Sequence, residues 1–300
     1  MGMAIFSLFP FLSVSLRGGN CPDYPLPRDV SRMKEIGRYK LTVDYRYLFA
    51  MDTVSGKRYE DMCRLEIGDF TRYYSLYALR CDSLMYEARM SSGDPNDGVN
   101  VTNWMGDKKR ANYEDYYLDY PSKGSLTARI NIVNTEYEYC EPLPIFEWKF
   151  LPDSVSTKVL GYECNAAETS FRGRHYRVWF TMEIPFSFGP WKFRGLPGLI
   201  LKVEESTGMF SWEAEGISQE SGPIYLYTPS FVRRTGRSQV DKLKRKEWDD
   251  PDGLAAQHGM TGGNMILELN LKSNTKKLRA MTAEDRERLR RPYVPPLELE

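Results

Sequence analysis

The sequence predicts a mainly β fold of the α+β type: one domain in which roughly ten strands form a curved antiparallel sheet or half-barrel, with a few helices. Two observations support this prediction. Apolar and polar residues alternate in many short segments, which is typical of half-buried strands. Aromatic residues make up 13% of the chain, and 20 of its 300 residues are tyrosines, which favour pleated surfaces.

The alternation is clearest in the first third of the chain. Apolar side chains occupy every second position from Tyr39 to Phe49, and residues 63–67 repeat the pattern after a Ser55-Gly56 turn. From Tyr74 to Ala88 the apolar spacing changes to three and four residues, which predicts a helix. Further strands are predicted at 126–132, 146–150, 159–167, 175–182, 199–203, 210–214, 224–227 and 265–271, and helices at 239–248 and 283–291.

The N terminus differs from the rest of the chain. Residues 4–16 are nearly all apolar or small, a stretch too short to span a bilayer but suited to the core of a signal peptide. We interpret residues 1–20 as a signal-peptide remnant or a disordered N terminus, with a first buried strand as the alternative. No linker divides residues 21–300, which we predict to be one domain without a transmembrane segment.

The charge balance argues against nucleic acid as a partner. The chain has 41 basic and 41 acidic residues, so its net charge is +0 and it has no global field that would attract a polyanion. The densest basic stretch, residues 233–246, is followed by acidic residues. We interpret it as a solvated helix face.

The sequence indicates no catalytic residues, no metal and no cofactor. It contains two histidines, and neither has a second histidine or a cysteine at metal-ligand spacing. Phosphate-binding, dinucleotide-binding and serine-hydrolase fingerprints are absent from the sequence. Cys140 and Cys164 flank a strand region and could form a disulfide in an oxidising compartment, although free thiols remain the alternative.

The segment from residue 189 to residue 201 has the strongest shape constraint in the chain. Glycines permit sharp bends and prolines fix φ, so we predict a structural motif at Gly189, Pro190, Gly195, Pro197 and Gly198. Between the bends we expect a short extended arm with Trp191 and Phe193 on one side and Lys192 and Arg194 on the other. The aromatic side either fills the core or lines a binding surface. The ligand-binding or partner-binding hypothesis covers Trp191, Phe193, Trp179 and Trp212.

Residues 161–217 carry several short motifs that occur together. They include Gly-Tyr-Glu-Cys from 161, Phe-Arg-Gly-Arg from 171, Trp-Phe-Thr from 179, Glu-Ile-Pro from 183 and Gly-Leu-Pro-Gly-Leu-Ile from 195. The combination resembles the GLPGLI family, and Pro-Pro-Leu-Glu-Leu from 295 resembles that family's closing motif, with Pro295 in place of an asparagine. The resemblance implies a secreted or envelope-exported protein of Gram-negative bacteria and implies no known activity.

The favoured hypothesis is an exported cell-envelope protein that is periplasmic, outer-membrane-associated or secreted. It would bind an apolar or lipid-like cargo, or another envelope protein, without catalysing a reaction. A fold-level analogy to the periplasmic lipoprotein carriers, whose curved sheet wraps an apolar cavity, favours the cargo. Two alternatives remain open: an uncharacterised hydrolase that uses Glu183, Cys164 or His175, and a purely structural partner of an outer-membrane receptor.

Overall fold

The computed structural model describes residues 28–50, 57–93, 111–133, 135–250, 253–254, 257, 265–270, 275–280 and 296–299. The predicted N-terminal segment 1–20 and the predicted helix 283–291 lie outside these residues. Within them, no helix is long and apolar enough to cross a membrane.

One fourteen-stranded mixed sheet dominates the fold and does not close on itself, which confirms the predicted mainly β class. Its strands are β1 (Met33–Ala50), β2 (Arg58–Gly68), β3 (Thr71–Ser75), β4 (Glu114–Leu118), β5 (Ser125–Ile132), β6 (Thr135–Pro142), β7 (Lys149–Phe150), β8 (Thr157–Val159), β9 (Tyr162–Phe171), β10 (Arg174–Thr181), β11 (Leu199–Glu205), β12 (Phe210–Ser218), β13 (Gly222–Tyr227) and β14 (Arg233–Arg234). A separate hairpin joins β15 (Met265–Asn270) and β16 (Thr275–Ala280). The helices are α1 (Leu76–Ser92), α2 (Arg237–Asp249) and two short 3₁₀ turns at Val30–Arg32 and Asp153–Val155.

The strand order is β14-β6-β5-β4-β3-β2-β1-β12-β11-β10-β9-β7. β13 pairs with the first half of β1, and β8 pairs with β9. All pairs are antiparallel except β14 with β6, which is parallel. The long strand β1 is central, since it pairs with β2 along most of its length and with β12 and β13 on its other side.

The sheet curls strongly, as the sequence predicted. β6 and β9 are nine positions apart in the strand order, which would separate them by about 43 Å in a flat sheet. Yet Arg172, in the turn after β9, forms a 2.9 Å ion pair with Glu141 on β6. Register shifts in β1 between Asp44 and Tyr45, and between β10 and β11, supply local bends of the kind that β-bulges produce.

The alternation from Tyr39 to Phe49 places the aromatic core on the inner face of the curl. Tyr47 stacks on Trp212 of β12, with ring centroids 4.6 Å apart and planes 9° apart. Their neighbours Arg46 and Glu213 lie opposite each other and face outward, because side chains alternate along a strand.

A buried ionic cluster, which the sequence did not indicate, lies on the outer face of β3 to β6. Arg28 contacts Asp115 at 3.1 Å and Glu136 at 2.9 Å, and Arg72 contacts Asp115 at 3.1 Å. Burial alone would raise the pKa of Asp115, but the Arg28 and Arg72 guanidiniums hold that pKa below its ordinary value. The cluster therefore fastens the start of the described chain to the sheet.

The helix predicted between Tyr74 and Ala88 is confirmed, although Tyr74 itself belongs to β3. Ser75 is the N-cap: its Oγ accepts a hydrogen bond from Ala78 N at 2.9 Å. The same Oγ donates to Asp61 on β2 at 2.8 Å, and Asn112 N donates to the second oxygen of Asp61. Gly93 ends the helix in the left-handed region at φ 69°.

Asp61 makes the stability of the protein depend on pH. Burial raises the pKa of its carboxyl from an ordinary 3.8 to about 8, and the hydrogen bonds from Ser75 and Asn112 oppose this shift only in part. The folded protein therefore retains a proton that the unfolded chain releases, so the stability from this group is present below pH 4 and is lost as pH rises toward 8.

Between pH 5 and pH 8 the free energy of unfolding should fall in both the unmodified protein and Asp61→Asn. We expect the fall to be smaller in Asp61→Asn by at least about 1 kcal/mol, because the variant lacks the carboxyl. Urea titrations at pH 5, 6.5 and 8 measure this. Asp249→Asn, at an exposed helix end, is the control and should keep the original pH profile. Parallel profiles for Asp61→Asn and the unmodified protein would contradict the assignment.

Candidate functional site

The arm, residues 189–198, is the second part of the connection from β10 to β11 and turns back under the inner face. Phe193 N donates to Pro190 O at 3.1 Å and closes a four-residue turn. Trp191 occupies this turn at φ 54°, a left-handed conformation that is strained for a residue with a bulky side chain. Gly195 has φ 97°, where glycine is favoured.

Two other glycines of the predicted motif allow close approach of the backbone. A Cβ on Gly198 would lie 2.0 Å from Thr181 O, and a Cβ on Gly189 would lie 2.7 Å from the Cβ of Ile200. Pro190 is buried and Pro197 is exposed. The motif therefore bends the chain and lets it pack tightly between the ends of β10 and β11.

Three of the four aromatic residues proposed for ligand binding meet in the core. Trp191 stacks on Trp212 with centroids 6.5 Å apart, and the Phe193 ring lies edge-on to Trp191 at 5.4 Å. Their exposures are 1% for Trp191, 0% for Phe193 and 1% for Trp212. Trp179 points to the outer face, where its Nε1 donates to Val155 O and Lys202 lies over its ring.

Lys192 lies in the interior. The expectation that it faces the side opposite Trp191 and Phe193 is therefore wrong. Its exposure is 0%, and Nζ lies over the rings of Tyr116 and Trp191 at 5.2 and 5.3 Å. Nζ donates to Tyr139 OH at 3.3 Å, to Glu141 at 3.2 Å and to Glu298. The left-handed turn at Trp191 is the physical reason, because it breaks the two-residue alternation on which the expectation rested.

The tail, Pro296–Leu299, lies across the end of the inner face. Arg174 donates to Pro296 O at 2.6 and 3.0 Å, and Tyr176 OH donates to Leu297 O at 3.1 Å. Leu299 N donates to Arg172 O at 3.0 Å. These contacts hold the tail in place along β10 and the turn before it.

Glu298 of the tail enters a cluster of cations, which we call the tail site. It contacts Lys192, Arg172 and Arg237, the last at 3.2 Å. Arg172 and Arg237 also pair with Glu141, at 2.9 and 3.4 Å. Burial alone would raise the pKa of Glu141, but Lys192 and Arg172 lower it.

Sequence reasoning missed the tail site, although one signal for it was present. Arg172 and Glu298 each lie inside one of the short motifs quoted above, and Lys192 lies in the arm between Gly189 and Gly195. Opposite charges in separate motifs are consistent with a contact in the fold. Only the structure shows the contact, and two further members of the tail site, Glu141 and Arg237, lie in none of the motifs.

Cys164 and His175, two of the three residues considered for hydrolysis, do not form a nucleophile-base pair. Cys164 is buried, its Sγ contacts Tyr162 O at 3.5 Å, and burial raises the pKa of its thiol to about 11. His175 Nδ1 bonds Ser170 Oγ at 2.7 Å, six residues along β9 from Cys164 and so about 20 Å away. Glu183 accepts a hydrogen bond from Glu163 N.

Cys140 and Cys164, the proposed disulfide partners, are both free cysteines in the structure. Cys140 is exposed on β6, and its Sγ lies 3.3 Å from Thr127 Oγ1 on β5. Cys164 is buried on β9, where it lies opposite Thr157 of the neighbouring strand β8. Among the described residues, no group of three or more histidines, cysteines and carboxylates is placed to hold a metal ion.

Comparison with known proteins gives a partial family match. The model of a family described as "Protein of unknown function (Porph_ging)" matches residues 165–202, which span most of β9, all of β10, the arm and the start of β11. A search of curated proteins found no match.

Two solved structures are among those that match part of this chain. They are titled "Structure of PNGF-II in C2 space group" and "Structure of PNGF-II in P21 space group", and each is 15% identical to this chain. The TM-scores are 0.44 and 0.43, and each match covers 71% of this chain and 34% of the other. The chain thus spans about a third of the length of these two proteins.

The close contact at Gly198 predicts a large loss of stability on substitution. In Gly198→Ala the new Cβ would lie 2.0 Å from Thr181 O, which is backbone at the end of β10. We expect the free energy of unfolding to fall by about 2–4 kcal/mol, or folding to fail. Gly216→Ala has no atom within 4 Å of its new Cβ and should change stability by no more than about 0.5 kcal/mol. Equal losses in urea titrations would show that the close approach is unimportant.

Lys192 gives a second prediction. Lys192→Met leaves Glu141 and Glu298 without their buried cation, so we expect the free energy of unfolding to drop by about 3–5 kcal/mol. Adding Glu298→Gln to this variant should restore part of the loss, because it removes one of the two carboxylates that have lost the Lys192 ammonium. Lys202→Met on the outer face is the matched control and should change stability by less than about 1 kcal/mol. The prediction fails if both lysine variants unfold at the same urea concentration.

Proposed function

We propose that this protein is a non-enzymatic binding protein of the bacterial cell envelope, and that its ligand is another protein and not an apolar cargo held inside the sheet. The observation that carries the proposal is that the chain itself fills the inner face. Trp191, Phe193 and Trp212, which would line a cargo cavity, contact one another and are almost fully buried.

An apolar cargo would need a concave, largely apolar cavity. To open one on the inner face, the arm would have to withdraw and Lys192 would lose its contacts with Tyr139, Glu141 and Glu298. Two open clefts lie elsewhere on the protein. One of about 690 Å³ lies between β14 and α2, and one of about 630 Å³ lies beside β9 and β10 and is lined by charged groups.

A binding role through the exterior is also supported by exposed apolar residues near both ends of the sheet. Phe150 on edge strand β7 is 59% exposed, and Phe231, just before β14 at the other end, is 63% exposed. Exposed aromatic side chains are enriched where proteins contact one another. Catalysis has less support, because Cys164 and His175, the candidate nucleophile and base, lie about 20 Å apart along β9 and β10.

Export to the cell envelope rests on the apolar stretch at residues 4–16 and on the resemblance to an exported family. Cell fractionation with an antibody to the protein tests it, and recovery in the cytosolic fraction would contradict it.

The filled interior predicts how the tryptophans respond to brominated acyl chains, which quench indole fluorescence on contact. We expect dibromostearic acid to cause no saturable quenching, because the rings of Trp191 and Trp212 are covered by protein. A known fatty-acid carrier serves as the positive control. Saturable quenching that is reduced in Trp191→Phe would contradict the proposal and favour a cargo inside the sheet.

If the proposal is correct, the native host contains a protein partner that contacts the exposed aromatic residues. A photo-crosslinking residue at position 150 or 231 should give discrete cross-linked species after irradiation. The same residue at the solvent-exposed position 215 on β12 provides the comparison. Identical patterns from all three positions would show that the crosslinking reflects random collisions.

A further inference from the structure

We propose that the tail site is a peptide-binding groove for an extended segment with a glutamate between two leucines, and that the chain's own C terminus occupies it in this structure. The inference rests on the proposed function, since it names one site at which a protein ligand is recognised. Three features of the groove support it: backbone contacts, a carboxylate pocket and a framework that does not need the tail.

The first feature is that the groove holds the tail through its backbone. The Arg174 guanidinium donates two hydrogen bonds to Pro296 O, and Tyr176 OH donates to Leu297 O. Arg172 O accepts from Leu299 N. Such contacts recognise any extended peptide, as in other modes of peptide recognition that use main-chain hydrogen bonds.

The second feature is a pocket that selects a carboxylate. Lys192 from the arm, Arg172 from the turn before β10 and Arg237 from α2 converge on Glu298, whose side chain is 11% exposed. Arginine and lysine donors around one carboxylate give strong, charge-assisted hydrogen bonds. The pocket therefore favours glutamate at this position over a neutral residue.

The third feature is that the tail does not build the pocket. Lys192, Arg172 and Arg237 each also contact Glu141 of β6, so this carboxylate holds all three cations without Glu298. Asp241 pairs with Arg237 as well. Loss of Glu298 takes one negative partner from all three cations, so the pocket becomes more positive and attracts an acidic ligand.

The two leucines beside Glu298, Leu297 and Leu299, add a preference for apolar residues next to the glutamate. Leu297 packs against the hydrophobic core, whereas Leu299 is 55% exposed. The Leu297 position should therefore contribute more to binding than the Leu299 position. The ligand class is thus an extended peptide with an apolar residue directly before a glutamate.

The test uses a variant that ends at residue 295 and a synthetic acetylated peptide with the sequence of residues 295–300. We expect isothermal titration calorimetry to show saturable binding of one peptide per protein. A peptide with glutamine at the position of Glu298 should bind at least tenfold more weakly. The full-length protein should bind the peptide far less, because its own tail competes.

Two matched variants on α2 separate the pocket from general electrostatics. Arg237→Gln in the shortened protein should weaken binding of the peptide, whereas Arg245→Gln, an exposed residue on the same helix, should not. If shortening lowers the melting temperature, the peptide should restore it with increasing dose, since a ligand that binds only the folded state stabilises it.

The proposal is overturned if the shortened protein neither binds the peptide nor is stabilised by it. It is equally overturned if the glutamine peptide binds as well as the glutamate peptide. Either result would leave the photo-crosslinking and bromine-quenching outcomes unchanged, so the broader proposal of a protein-binding role would be judged separately.

Discussion

The buried ammonium of Lys192 is the interaction on which the rest of the structure depends. A lone charge in such an interior would cost several kcal/mol, so it must be paired and hydrogen-bonded. Its partners are Tyr139 and Glu141 on β6 and Glu298 in the tail. Because the arm lies between β10 and β11 and two of the partners lie on β6, the pairing links two parts of the sheet that are far apart in strand order.

The curvature of the sheet, the path of the arm and the position of the tail all depend on this pairing, since each brings one of the paired groups into place. The arm brings Trp191 and Phe193 against Trp212, so its aromatic rings fill the space that a carrier protein would leave open. The inner face thus serves stability, and the binding role proposed above is assigned to the exterior and to the end of the curl where the tail lies. The proposed binding role follows from that division.

The sequence predicted those elements that have a local signature. The alternation from Tyr39 to Phe49 predicted β1, and the change to a helical spacing predicted α1, because both periods are visible within a few residues. The two-residue strands β7 and β14 are too short to show a period, and residues 146–148 of the predicted strand 146–150 are not strand. The parallel pairing of β14 with β6 depends on residues about a hundred positions apart, so no local pattern indicates it.

By itself the sequence determined the fold class, the chain positions of most of the longer strands, although not of β4 or β6, and the places where glycine and proline must bend the arm, because these depend on neighbouring residues. It left open whether the aromatic residues of the arm fill the core or line a binding surface. Only the tertiary structure decided that Lys192 turns inward and that Glu298 meets it. These two residues are 106 positions apart, and Glu141 is 51 positions from Lys192. Charge pairing between residues so far apart produces no periodic pattern in the sequence. The left-handed turn at Trp191, which makes the pairing possible, is a property of the folded backbone.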